Sequence, residues 1–252
     1  MAKTHKRLRL PGMKCRAAAR TDASAGADRA RLTSVRRALL AWARTAGRRF
    51  FWRKREVSPF ALLVTEILLS RTRAQSVEPV ALRLLARFGQ PTDLAMADIP
   101  EVERILRPLG LHRKRASRLV ECARQLVSRF NGQVPSSPDE LMTLPYVGRY
   151  AANAVACFGF GQRRAVIDAN VSRVYQRLFS LPPPPARLSA ADGLWEFGRR
   201  LLPHRGLSAR AFNWAILDLG GTICTPRRPL CSLCPVAFTC DAHGKGTCGC
   251  AS

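Results

Sequence analysis

Residues 144–174 read LPYVGRYAANAVACFGFGQRRAVIDANVSRV. The first six, Leu144-Pro145-Tyr146-Val147-Gly148-Arg149, form a tight turn between two short helical patterns at 137–142 and 150–158. Such a hairpin aims backbone N–H groups, at a helix N-terminus, toward a phosphate. Gly148 is expected to supply the left-handed backbone angle of the turn. An ordinary helical hairpin satisfies the same pattern. Farther along, Asp168 stands just before a helical run that reaches about residue 179. On pattern alone it is an N-cap, its side chain accepting a backbone N–H. The helix dipole favours negative charge there, which also suits a site that stabilises a developing sugar cation.

Outward from this stretch the chain continues in helical periods. Apolar positions fit one helix face from 33 to 46, and Ser58-Pro59 marks the start of the next helix, with proline at a first-turn position. Residues 60–73 are apolar almost all round, predicting a central helix covered on most sides. Further helices are expected near 76–88, 93–99, 100–107 and 114–130, then at 190–202 and 208–219 beyond the stiff Pro182–Pro185 run. Strand-like alternation is almost absent, so the expected class is all-α. Glu66 sits inside the greasy ALLVTEILLS run, with Ser70 and Arg73 one and two turns on. The pattern fits a solvated face, or a carboxyl in a cleft with a raised pKa that can donate a proton.

The formal charge is +25. A chain this basic repels itself unless it works against a polyanion, and nucleic acid is the natural partner. No stretch approaches the eighteen uninterrupted apolar residues of a membrane span. The basic N-terminus lacks the apolar segment of a secretory signal, and residues 1–30 read as a disordered basic arm. With nine cysteines, an odd number, and no secretory signal, a reducing compartment without a disulfide framework is expected. The expected location is cytoplasmic, with the nucleoid.

Four cysteines, Cys224, Cys231, Cys234 and Cys240, stand at C-x6-C-x2-C-x5-C in CTPRRPLCSLCPVAFTC. Thiolates in that number hold an iron–sulfur cluster or a structural zinc. Zinc sites of four cysteines usually pair two C-x-x-C knuckles, and only Cys231 and Cys234 form one here. Cys15, Cys122 and Cys157 read as scattered packing thiols. Cys248 and Cys250, in the tail GTCGC, are two further thiols able to bind metal, but they are expected to lie in a flexible end, 246–252.

Taken together, residues 144–174 and the run FNWAILDLGGTICTPRRPLCSLCPVAFTC resemble the helix-hairpin-helix DNA glycosylases of the endonuclease III superfamily. The resemblance spans residues 34–240, with motifs in the family's order. It implies a six-helix barrel carrying the hairpin (58–179) and a second helical lobe built from both chain ends (31–57 and 180–245) that holds a [4Fe–4S] cluster. Double-stranded DNA containing a mismatched or damaged base would lie in the cleft between them, the target nucleotide flipped out of the stack, with the protein acting as a monomer. Members that also cut the strand carry a lysine after the turn's Gly-Arg. Tyr150 stands there, and a phenol forms no imine, so the resemblance implies a glycosylase that leaves the abasic strand intact. TEILLSRTRAQSVEP, IDAN and ICTPRRPLCSLC look most like the thymine/uracil mismatch type. The related MutY-type adenine-mismatch enzymes carry a further C-terminal domain, for which the twelve residues after Cys240 leave no room.

By the same resemblance, Asp168 is the central carboxylate. Tyr150 lines the pocket, and Glu66 faces the flipped base as a proton or hydrogen-bond donor. Tyr146, Gly148 and Arg149 meet DNA at the hairpin, Arg71 fills the gap left in the duplex, and Arg227 and Arg228 touch phosphate from the cysteine loop. Tyr146 occupies the position of the hairpin's usual first glycine, which predicts a strained turn or a ring used against DNA.

Overall fold

The structure, a computed structural model, describes residues 22–249. The arm as far as residue 21, Cys15 and Cys250 lie outside the described residues. At Ser58 the chain enters its most buried helix, α2 (Pro59–Leu69): the Ser58 hydroxyl accepts the Ala61 N–H at 3.2 Å, and Pro59 fills the first turn, where no donor is needed. Leu62, Leu63, Val64 and Leu68 are each at most 2% exposed, as an all-round apolar sequence requires. Burying one such side chain contributes roughly 1.5–3 kcal/mol.

On α2 pack α3 (Ala74–Arg87), α6 (His112–Phe130) and α8 (Arg149–Phe160), and against these lie α4 (Pro91–Ala95), α5 (Ile99–Leu106) and α7 (Pro138–Leu141). Their buried residues form one apolar core running from Phe60 to Ala156. A second core joins α1 (Asp22–Ala46), α9 (Ala169–Phe179), α10 (Asp192–Leu201) and α11 (Gly206–Asp218), with Leu39, Tyr175 and Phe212 fully buried inside it. The chain passes from α11 through a π-helical turn, Leu219–Ile223, into the cysteine loop, and α12 (Asp241–Gly244) follows that loop. No β-strand occurs among the described residues, as expected.

Two boundaries differ from the sequence reading. α1 begins at Asp22, inside the stretch assigned to the arm. That stretch is rich in alanine, which favours helix without any apolar period. Arg31 ties α1 down, donating to the carbonyls of Leu178 and Thr239 and to Asp241 Oδ1, each at 2.6 Å. In addition, α9 packs in the second core, so the break expected after residue 179 falls ahead of α9.

A small third cluster forms the seam. Phe50 stacks on Trp52 at 4.4 Å and Phe158 on Trp214 at 5.0 Å, with Leu62, Ala154 and Val166 between them. The principal cleft opens along this seam.

Candidate active site

Asp168 caps α9. Its Oδ1 accepts the Val171 N–H and its Oδ2 the Asn170 side-chain amide, both at 2.8 Å. Ile167, just before it, is 1% exposed in the second core, so the half-buried carboxylate is fixed in place while facing the cleft. Asn170 is held in turn: its Oδ1 accepts from Arg173 at 2.9 Å, and Arg173 donates to the carbonyls of Cys224 and Gly220. A chain of hydrogen bonds therefore links the carboxylate to the cysteine loop. Gly220 is required here, because a Cβ would stand 2.9 Å from Asn170 Cβ and 3.0 Å from its carbonyl oxygen.

Glu66, two turns into α2, is 6% exposed, and its Oε2 has no hydrogen-bond partner among the described residues. The solvated-face reading is thereby excluded. Burial, then the charge of Asp168, push its pKa up to about 8, against the opposing pull of Arg53. At neutral pH Glu66 holds its proton. Tyr150, on the first turn of α8, feels both carboxylates. Burial first, then Glu66 and Asp168, hold its hydroxyl well above the usual tyrosine range, so it remains a neutral phenol.

All three line one cleft of about 1210 Å³, together with Arg53, Arg71 and Tyr146. Arg71 sits in the turn after α2 in a left-handed conformation, φ 58°. Tyr146 is also left-handed, φ 66°, the residue 55% exposed and its ring 4.7 Å beneath the Arg118 guanidinium. The turn's left-handed angle therefore belongs to Tyr146. Gly148, expected to supply it, is extended (φ −92°, ψ 178°) and serves as N-cap of α8. A Cβ on Gly148 would meet nothing within 4 Å, so no packing demands glycine there. Its bare backbone faces the open cleft.

Other expected contacts do not converge. Arg149 turns away to α10, donating to Ser189 O at 2.7 Å and Asp192 Oδ1 at 2.6 Å and stacking on Trp195. Arg227 and Arg228 are exposed on the cysteine loop, outside the cleft lining. Conversely, the sequence reading missed Arg48, Arg53 and Asp218. Asp218 is 1% exposed and receives paired bonds from Arg53 at 2.7 and 2.8 Å and from Arg48 Nε at 2.6 Å. Burial pushes its carboxyl pKa up, but the two guanidiniums outweigh it and hold it below the usual range. The Trp-Arg pair at 52–53 was the available signal, obscured by a loop without period.

The cysteine loop gathers Cys224, Cys231, Cys234 and Cys240 around one cavity, closed by Arg177, whose guanidinium lies 3.5 Å from the Cys224 sulfur. Cys224, Cys234 and Cys240 are free thiols, and burial raises Cys234 to about 11. Four cysteine sulfurs gathered around a cavity whose lining holds no carboxylate suit a soft metal, which takes them as thiolates on binding. The donor set fits a [4Fe–4S] cluster. Cys231 and Cys248 are each disulfide-bonded, while Cys122, Cys157, Cys224, Cys234 and Cys240 are free. Cys248 is 5% exposed and thus packed, although it was placed in a flexible tail.

Comparison with known proteins agrees with this arrangement. Residues 64–199 match the HhH-GPD superfamily base excision DNA repair protein family, and residues 224–240 match the iron–sulfur binding domain of endonuclease III. The chain is 37% identical over 206 residues to a thymine/uracil-DNA glycosylase of Pyrobaculum aerophilum, covering 81% of this chain and 89% of that protein. It is 39% identical over 209 residues to an adenine DNA glycosylase of Mycobacterium tuberculosis, covering 81% and 66%. A thermostable thymine-DNA glycosylase superposes with a TM-score of 0.80 at 31% identity, covering 87% of this chain and 99% of that one. The chain belongs to the HhH-GPD superfamily of base excision DNA repair proteins and carries its iron–sulfur domain.

Proposed function

We propose that this protein is a monofunctional DNA glycosylase that acts as a monomer on duplex DNA and removes thymine or uracil mispaired with guanine. The observation that carries the reading is the grouping of a capping carboxylate, Asp168, a protonated buried acid, Glu66, and a phenol, Tyr150, in one cleft. Thymine/uracil relatives that match this chain along most of their length support the choice of base.

The N-glycosidic bond breaks with its electron pair passing to the base, leaving an oxocarbenium-like sugar. Asp168, held by Val171 and Asn170, presents negative charge to that cation, as a carboxylate does in glycoside hydrolysis. Glu66 donates its proton or a hydrogen bond to the departing base. A water adds to the sugar carbon and passes its proton to the cleft carboxylates, restoring the acid at Glu66, so one water is consumed per free base and abasic site. Tyr150 packs beside the sugar and offers no amine, so no covalent imine forms and the strand stays whole. Arg71 and Tyr146, on left-handed turns at the rim, meet the distorted duplex. Cys224, Cys231, Cys234 and Cys240 would hold the cluster, which supplies a rigid, positively flanked loop.

The test is a panel of duplexes carrying T:G, U:G, A:G or A opposite oxidised guanine, each developed with and without hot alkali. Thymine and uracil duplexes should break only after alkali. Cleavage confined to the adenine duplexes would favour the adenine-mismatch reading, which the mycobacterial relative supports. Binding without base release from any duplex would leave a non-catalytic lesion binder.

A further inference from the structure

The geometry points to Cys248 as a fifth thiol of the iron–sulfur centre, a reserve ligand that takes the place of Cys231. This rests on reading residues 224–240 as the cluster's ligand loop.

Three observations place Cys248 at the centre. It lines the same cavity as the four loop cysteines. It is 5% exposed, while Thr247 and Gly249 on either side are exposed. Finally, the sulfurs of Cys231 and Cys248 and a ring nitrogen of His243 all lie within 4.8 Å of one another.

The local backbone brings the thiol back. After α12, Gly246 takes a left-handed angle, φ 66°, and donates to the His243 carbonyl at 3.0 Å. The Thr247 N–H donates to the Ala242 carbonyl at 2.8 Å, and its hydroxyl donates to the same oxygen at 3.2 Å. These bonds fold the segment onto α12, which packs on α9, and they aim the next side chain, Cys248, inward. Its sulfur stands 3.9 Å from His243 Nδ1.

The involvement of Cys231 selects the role. A separate ion held by Cys231, His243 and Cys248 would take a ligand from the loop, so two independent sites cannot both be filled. Cys231 and Cys248 are both disulfide-bonded, whereas Cys224, Cys234 and Cys240 are free. Cys248 lines the same cavity as the four loop cysteines, and its sulfur lies within 4.8 Å of the Cys231 sulfur, so a centre held in that cavity is within its reach. On binding, Cys248 gives up its proton as any thiol ligand does, and the oxidation state of the centre is unchanged. Without metal, Cys231 and Cys248 are expected to close on each other, their sulfurs lying within 4.8 Å. Two thiols and one small-molecule disulfide yield the protein disulfide and two small thiols.

The test measures iron per chain and visible absorbance in the full-length protein as wild type, Cys231→Ala, Cys248→Ala, Cys224→Ala and Cys231→Ala/Cys248→Ala, with helicity followed by circular dichroism. Wild type and Cys248→Ala should hold the full complement. Cys231→Ala should keep most of its iron, while the double variant and Cys224→Ala, which has no spare thiol, should lose it. Equal iron in Cys231→Ala and the double variant overturns the proposal. A wild-type chain without iron overturns the cluster reading instead. Because Cys231→Ala could misfold, the metal-free wild-type chain is also oxidised with oxidised glutathione and its disulfides mapped by mass spectrometry. A Cys231–Cys248 peptide pair is expected, and Cys231 joined to any other thiol contradicts the proposal.

Discussion

Glu66 and Asp168 are two carboxyl groups in one cleft with opposite assignments. Glu66 is buried on α2 and sits beside the charge of Asp168, so it keeps its proton. Asp168 is fixed by two hydrogen bonds at a helix N-terminus, which turn it toward the cleft. Replacing Asp168 with Asn should abolish base release while largely sparing DNA binding, as single-turnover kinetics and gel shifts would show. Losing both together would make Asp168 a cap alone. The pKa of Glu66 lies above its ordinary value of 4.5, at about 8. Its contribution to stability is therefore complete below about 4.5 and lost as pH rises through about 8. Denaturant melts should show the wild type losing stability relative to Glu66→Gln across that window. Base release should fall over the upper part of the same range. A flat difference between the two proteins would place the side chain in water.

At the scale of elements, the start of α9 is wedged between the second core and the π-helical turn at 219–223. Gly220 touches Asn170 there, and Asn170 orients Asp168. Gly220→Ala should cost about 1–3 kcal/mol by overpacking against backbone and should slow base release, read by thermal melts and single-turnover rates together. A stable variant with normal rates would show that the contact relaxes without moving Asp168. How well each element could be read from sequence follows the same physics. Ser58-Pro59 and the Asp168 cap were readable because capping is local, a side chain bonding a nearby backbone amide. Glu66 was not decided, since a helix apolar on every side has no polar face to reveal its direction. The left-handed angle was assigned to Gly148 on intrinsic preference, whereas the folded turn holds Tyr146 in it beneath Arg118. The bond from Arg149 to Asp192 spans 43 residues, a pairing no local pattern encodes.

Across the whole molecule, the all-α class, the order of motifs and the cysteine loop were legible in the sequence, since each depends on period or spacing. The seam between the cores was not. It is made by aromatic stacking and by the Arg48–Asp218–Arg53 network, whose members come from distant segments. A charge of +25 makes association with DNA a matter of counterion release. Affinity for a mispaired duplex should fall on the order of 10³-fold or more between about 50 and 200 mM salt, the response expected of several phosphate contacts. Fluorescence anisotropy at graded salt measures it, and a shallow slope would deny the cleft its electrostatic role. The most direct test incubates the metal-loaded full chain with a duplex bearing one T:G or U:G pair and follows the free base by mass spectrometry and the strand by denaturing gel. The account predicts free thymine or uracil and a strand that breaks only after alkali. A strand cut without alkali, or no base released from any mispair, would contradict it.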